Sequence, residues 1–300
     1  MHDLLRLDAC ASGATHEFSG ICCAGKPDRA FGGLTVAHAL LAAHRTVAPA
    51  WHVHSLHAYF LAMGRPDEKV RYRVRTVRDG GTYTLREVTA LQGTEELLTL
   101  TASFKRPEPG PDRHVAMPPT PAPESLPDRG EAVDRLWSGI TPSSAIRQVV
   151  QVRPVDGDAA DDDADQYGSR ARRMWIRFSG RLSDDPALHS AALSFCSDLT
   201  LGRTAALGHL DALGGGNPAQ RLFLASIDHA MWFHRQCRAD DWLLYVHHSR
   251  TSGDGRGLTT GEFWTREGAL VATVTQEVLL RERRTTPTAD RSVLADVALG

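Results

Sequence analysis

The stretch Leu224–Arg235, LASIDHAMWFHR, gathers groups able to do chemistry among large apolar side chains: the Ser226 hydroxyl, the Asp228 carboxylate and the imidazoles of His229 and His234. Polar groups within an apolar run form either a satisfied buried network or a site. Two more residues stand out by spacing. Alternation along Leu270–Leu280 puts Leu270, Ala272, Val274, Gln276, Val278 and Leu280 on one face, and Gln276 is its only polar member. An amide turned into a core without partners costs on the order of 1–3 kcal/mol. Asp198 follows Phe195 by three positions, near the apolar face of a helical run, where an unpaired carboxylate is expensive. An acid, a hydroxyl and an amide from three elements could thus converge, either as a structural network between helix and sheet or around a reacting molecule. A regular strand would put Asp228 on the same face as Ser226, which makes Asp228 a rival acid.

Other combinations are less well formed. A Ser226–His229–Asp triad lacks the G-x-S-x-G elbow. His44, His52, His54 and His57 lack the H-x-x-x-H spacing of a helical metal site, so no metal is expected. The acidic run Asp156–Asp165 has Tyr167 where a calcium loop needs a bidentate Glu, and it reads as a solvated loop.

The elements that must position these residues occur twice. Phe31-Gly32-Gly33 opens an Ala-rich helix over Leu34–Val47, and Pro49 lies beyond its end. The paired glycines permit close approach of a backbone or a ligand. Strands follow at His54–Leu61, Val70–Val77, Thr82–Leu91 and Glu96–Phe104, with turn signals between them. Pro107–Pro127 reads as a proline-rich linker. The pattern returns with a strand at Arg173–Ser179, a helix over Ala187–Leu207, and strands at Leu222–His234, Trp242–Ser249, Leu258–Trp264 and Ala269–Leu280. His57-Ala58-Tyr59-Phe60 echoes His229-Ala230-Met231-Trp232-Phe233. Overlaying the two sets His54 against Ser226, and aligning the last strands sets Ser103 against Gln276. The expected division is a first repeat over 1–106, a linker over 107–170, a second repeat carrying the site over 171–284, and a tail over 285–300.

Composition bounds the function. The 300 residues are 42% apolar and 23% charged with a net charge of −2, so no basic field invites nucleic acid. No apolar run approaches the roughly 20 residues of a spanning helix, so membrane insertion is not expected. The N-terminal residues lack the apolar core of a signal peptide. Five cysteines without a C-x-x-C pair suit free thiols in a reducing cytoplasm.

FGGLTVAHALLAAH, HSLHAYFLAMG, RDGGTYTLREVTALQG and TASFKRPE resemble the first half of the acyl-CoA thioesterase II family. LSFCSDLTLG, ASIDHAMWFHR, DDWLLYVHHS and RGLTTGEFWTREGALVATVTQE resemble its second half, in the same order. The resemblance spans about Phe31 to Arg281. It implies an α+β double hotdog fold, two central helices each wrapped by a curved antiparallel sheet. It further implies hydrolysis of fatty acyl-CoA to free acid and CoA by an activated water, without a cofactor, in a cytoplasmic homo-oligomer. The family's site combines an Asp on the second helix, a Thr or Ser in the ASIDH block and a Gln in the final strand. Those positions here hold Asp198, Ser226 and Gln276, with Ser226 a mild departure from the common Thr. Gly32, Gly33, His57, Asp228 and His229 are expected around substrate or behind the reacting groups. Arg71, Arg73 and Arg75 are candidates for the CoA phosphates, with solvated strand charges as the alternative. A hotdog hydratase or dehydratase using His57 or His229, and a non-catalytic acyl-thioester-binding protein, are the competing functions.

Overall fold

The computed structural model describes residues 2–10, 16–26, 29–126, 144–155, 171–207, 209 and 221–283. The acidic run 156–165 and the tail 285–300 lie outside them.

The first repeat contains β1 (Asp8–Ala9), β2 (His16–Ile21), the small hairpin β3 (Ala24–Lys26) and β4 (Arg29–Ala30), and helix α1 (Gly32–His44). Strands β5 (His52–Phe60), β6 (Lys69–Asp79), β7 (Tyr83–Gln92) and β8 (Glu95–Lys105) follow. Helix α2 (Ser144–Val149) and β9 (Val150–Pro154) lead into the second repeat. That repeat comprises β10 (Ala171–Phe178), α3 (Pro186–Ser197), α4 (Leu201–Leu207), β11 (Leu222–Ser226), β12 (Asp228–Phe233), β13 (Leu243–Gly253), β14 (Arg256–Trp264) and β15 (Leu270–Glu282).

Apart from the β3–β4 hairpin, which pairs only with itself, the strands form one antiparallel sheet in the order β1-β2-β6-β7-β8-β5-β12-β15-β14-β13-β10-β9, with β11 also on β15. The order is palindromic by role: each half runs strand, helix, then four strand positions, and the halves join edge to edge through β5 and β12. This is the double hotdog, with its two sheets fused into one. Closing the edges of β5 and β12 on each other removes two open templates for pairing with other chains.

Helices α1 and α3 pack against each other inside the sheet. Eleven of the thirteen residues of α1 are buried, including Val36, Ala37, Leu40 and Ala43, so it is apolar on nearly every side. Such a helix forms only where a sheet encloses it. The edge-to-face contact of Phe195 with Phe31, centroids 4.9 Å apart, ties the two repeats together, and that of Phe195 with Phe178, at 5.7 Å, holds α3 on β10.

Two elements differ from the sequence expectation. The helix expected over Ala187–Leu207 is two helices, because the chain breaks at Asp198-Leu199-Thr200. The buried Leu199 and Leu201 carried the apolar pattern across the break and concealed it. The strand expected over Leu222–His234 is likewise divided at Ile227. Both interruptions adjoin residues expected in the site.

Candidate active site

Asp198 caps the C-terminus of α3, with φ −88° and ψ −9°. A carboxylate at that end opposes the helix dipole. It is accommodated by the opposite end of another helix. Helix α1 starts at Phe31 without a side-chain cap and without an acid in its first turn. The start of α1 at Gly32-Gly33 lies against the Asp198 carboxylate, which supplies from the second repeat the anion that α1 lacks. The glycines make the approach possible: a Cβ on Gly33 would lie 2.9 Å from the Asp198 Cβ, and one on Gly32 would lie 3.1 Å from Oδ2. Gly32 and Gly33 therefore serve close contact between the repeats at Asp198.

Gln276, fully buried on the inner face of β15, donates from Nε2 to Asp198 Oδ1 at 2.7 Å and to Ser226 Oγ at 3.1 Å. His229 Nδ1 lies 3.4 Å from the same nitrogen. The Gln276 backbone is held as well, since its carbonyl accepts the Thr259 hydroxyl at 3.0 Å. Asp198, Ser226 and Gln276, from three elements, thus meet around one amide nitrogen.

Ser226 and His229 could not both reach it from a regular strand. Between the pairs Ser226↔Val278 and Ala230↔Thr275, the bulged run advances four positions while β15 advances three. The extra residue at Ile227 reverses the alternation, as a β-bulge does. Ser226 and His229 then face inward and Asp228 does not join them. The Asp228 carboxylate accepts the Glu277 N–H at 2.7 Å, satisfying a backbone group beside the bulge. The expectation that Asp228 shares the face of Ser226 is corrected, because it assumed an uninterrupted strand.

His57 is also corrected. It is exposed on the outer sheet face, edge-on to Trp232 with centroids 5.2 Å apart, whereas His229 is fully buried. The overlay of His57 on His229 is therefore one residue out of register. Inner positions Leu56 and Ala58 correspond to His229 and Met231, and the irregularity between Val53 and Ser55 corresponds to the one at Ile227. In that register Ser226, His229 and Gln276 face Val53, Leu56 and Ala102 in the first repeat, all buried and apolar. His54 and Ser103 bond to each other at 2.7 Å, outside this equivalence.

Burial sets the protonation states. It pushes the Asp198 carboxyl up to about 6, against the lowering effect of its bonds from Gln276 and Gly33. Burial pulls His229 down to about 4, so its ring is neutral near pH 7. Asp198 keeps partial exposure, and so does Ser226. A base close to neutrality, with a path to solvent, suits proton abstraction from water. No cluster of His, Cys, Asp and Glu suited to a metal occurs among the described residues.

The strand arginines are engaged by acids. Arg71 and Arg73 lie 3.3 and 3.8 Å from Glu17, and Arg75 lies 2.7 Å from Glu87. They are paired charges of the outer sheet face, the alternative given to them by the alternation. Sequence reading did not find the approach of Asp198 to Gly33 or the part of Ser197, whose hydroxyl lies 2.8 Å from His229 Nε2. The uncapped glycine start of α1 was the available signal for the first.

Comparison with known proteins agrees along most of the chain. Residues 23–105 match the acyl-CoA thioesterase N-terminal domain family, and residues 111–280 match the corresponding C-terminal domain family. Acyl-coenzyme A thioesterase 8 of Rattus norvegicus is 33% identical over 85% of this chain and 81% of its own. Acyl-CoA thioesterase 2 of Haemophilus influenzae is 31% identical over 84% of this chain and 87% of its own. The crystal structure of acyl-CoA thioesterase II TesB2 from Mycobacterium marinum superposes with a TM-score of 0.76 at 36% identity, covering 94% and 98% of the two chains.

Proposed function

The chain belongs to the acyl-CoA thioesterase family, and we propose that it hydrolyses fatty acyl-CoA by direct attack of a water held at Asp198, Ser226 and Gln276. The observation that carries the site assignment is the Gln276 amide, bonded to both Asp198 and Ser226 at the α3–α4 break. Ionised Asp198 accepts a proton as the water oxygen bonds to the thioester carbonyl carbon. The resulting tetrahedral oxyanion collapses, the C–S bond breaks, and the proton on Asp198 passes to the departing thiolate. The products are the free acid and CoA. Gln276 aligns the carboxylate, and the Ser226 hydroxyl supplies a second contact for the water. No residue forms a covalent intermediate.

Phe60 and Ile227, joined by a backbone bond of 2.9 Å and both partly exposed, offer apolar surface beside the site for the acyl chain. The hydratase reading has less support, because His229 is neutral and enclosed and His57 is on the outer face. Five free thiols are consistent with a reducing cytoplasm, and Tyr59 and Trp232 on the outer face of the β5–β12 seam are consistent with a homo-oligomer.

The test is thiol release from a panel of acyl-CoAs of graded chain length, with light scattering for assembly. Thiol release strongly reduced by Asp198→Asn is the expected result. Addition of water to an enoyl thioester, or retention of intact acyl-CoA without thiol release, would replace hydrolysis with one of the competing functions.

A further inference from the structure

The Gln276 amide nitrogen has two protons and faces three acceptors, Asp198 Oδ1, Ser226 Oγ and His229 Nδ1. Its oxygen points the other way, buried and without a partner among the described residues. Gly202 in α4 leaves room for that oxygen, since a Cβ there would lie 3.1 Å from Oε1. An orphaned carbonyl is costly, so something must hold the amide in this sense. Asp198 does so most strongly while ionised, since protonation turns one of its oxygens into a donor. A second device lies on the other side of the amide. The Ser197 hydroxyl is 2.8 Å from the Ser194 carbonyl and 2.8 Å from His229 Nε2. That hydroxyl has one proton, and the carbonyl can only accept.

We propose that Ser197 and His229 are positioning residues: Ser197 donates to the Ser194 carbonyl, His229 donates from Nε2 to Ser197, and the lone pair left on Nδ1 shares the Gln276 amide proton directed at Ser226, holding the other on Asp198. The opposite tautomer would set a ring N–H against the amide NH2. Turning the amide over to relieve that conflict would set its oxygen against the ionised carboxylate. The relay is anchored, because Tyr245 donates its hydroxyl to the Ser197 carbonyl at 2.7 Å. Asp198 and Tyr245 are the titratable groups around it, the first through Gln276 and the second through the Ser197 backbone. This inference rests on the reading of Asp198 as the base.

The test is nitrogen NMR of the histidine rings in the full chain from about pH 5 to about pH 9, with His229 assigned by its loss in His229→Gln. The expected signal is a neutral, Nε2-protonated ring that does not titrate. A ring protonated on Nδ1, or charged in that range, overturns the proposal. Ser197→Ala is expected to mix the tautomers and lower kcat about three- to tenfold with KM unchanged, the worth of one hydrogen bond. An unaltered ring signal with unaltered kcat in that variant also overturns it. Should the parent show the expected ring but release no thiol from acyl-CoA, the catalytic reading fails while the relay stands.

Discussion

Ser226 and His229, three positions apart, both turn toward the amide nitrogen of Gln276, at 3.1 and 3.4 Å. In an uninterrupted strand they would lie on opposite faces. One extra residue at Ile227 puts them on the same face, and the Asp228 carboxylate satisfies the Glu277 N–H beside it. The bulge thus decides which acid shares the amide: Asp198 bonds to Gln276, and Asp228 is turned to the backbone. The first repeat has a matching irregularity but places Val53, Leu56 and Ala102 around it, so a duplicated fold carries its polar cluster once.

The acid limb of the pH profile reports Asp198. Its carboxyl is raised to about 6, and only the ionised form accepts a proton. kcat/KM is expected to rise with pH and level off above about 7. Asp198→Asn should lower kcat by about 10²–10⁴-fold, the range of a lost general base. Steady-state rates of thiol release across pH check both.

The same carboxylate carries a cost in stability. Its folded value of about 6 exceeds the ordinary 3.8, so the folded state binds the proton more tightly. The associated stability is fully present below about pH 3.8 and is lost as pH rises through about 6. Relative to Asp198→Asn, the parent should lose about 2–3 kcal/mol between acid and neutral pH, somewhat less to the extent that solvent reaches the group. Denaturant melts of both proteins at the two pH values measure the difference, and a constant gap would contradict the assignment.

Gln276→Glu separates charge from shape. A second carboxylate 2.7 Å from Asp198 disfavours ionisation of both. The acid limb should move to higher pH, with the two groups titrating as a coupled pair. Gln276→Ala removes a bond that lowers the Asp198 carboxyl, so it should lower kcat with a smaller displacement of the limb in the same direction.

Gly33→Ala tests the contribution of the first repeat. The added Cβ would meet Asp198 Cβ at 2.9 Å and the Phe31 ring at 2.6 Å. Relief requires α1 or Asp198 to move, at a cost of about 1–3 kcal/mol. Thermal melting should fall and kcat should fall with it, although residue 33 lies far from Gln276 in the chain. A melt that falls with kcat preserved would give Gly33 a packing role alone.

Amino-acid order by itself determined the duplicated helix-and-sheet plan, because burial on one side of a strand or nearly all round a helix leaves a periodic apolar trace. It also marked Asp198, Ser226 and Gln276, since a polar group among apolar neighbours is conspicuous wherever burial is costly. It could not place the break after Ser197 or the bulge at Ile227, because the apolar residues that span them, Leu199 and Ile227, continue the pattern. The turning of Asp228 off the face of Ser226, the separation of His57 from His229, and the approach of an acid from the other repeat to the start of α1 were decided only in three dimensions. There, the Glu277 N–H found the Asp228 carboxylate and the glycine start of α1 came against Asp198, and those two contacts sorted the acids into their places.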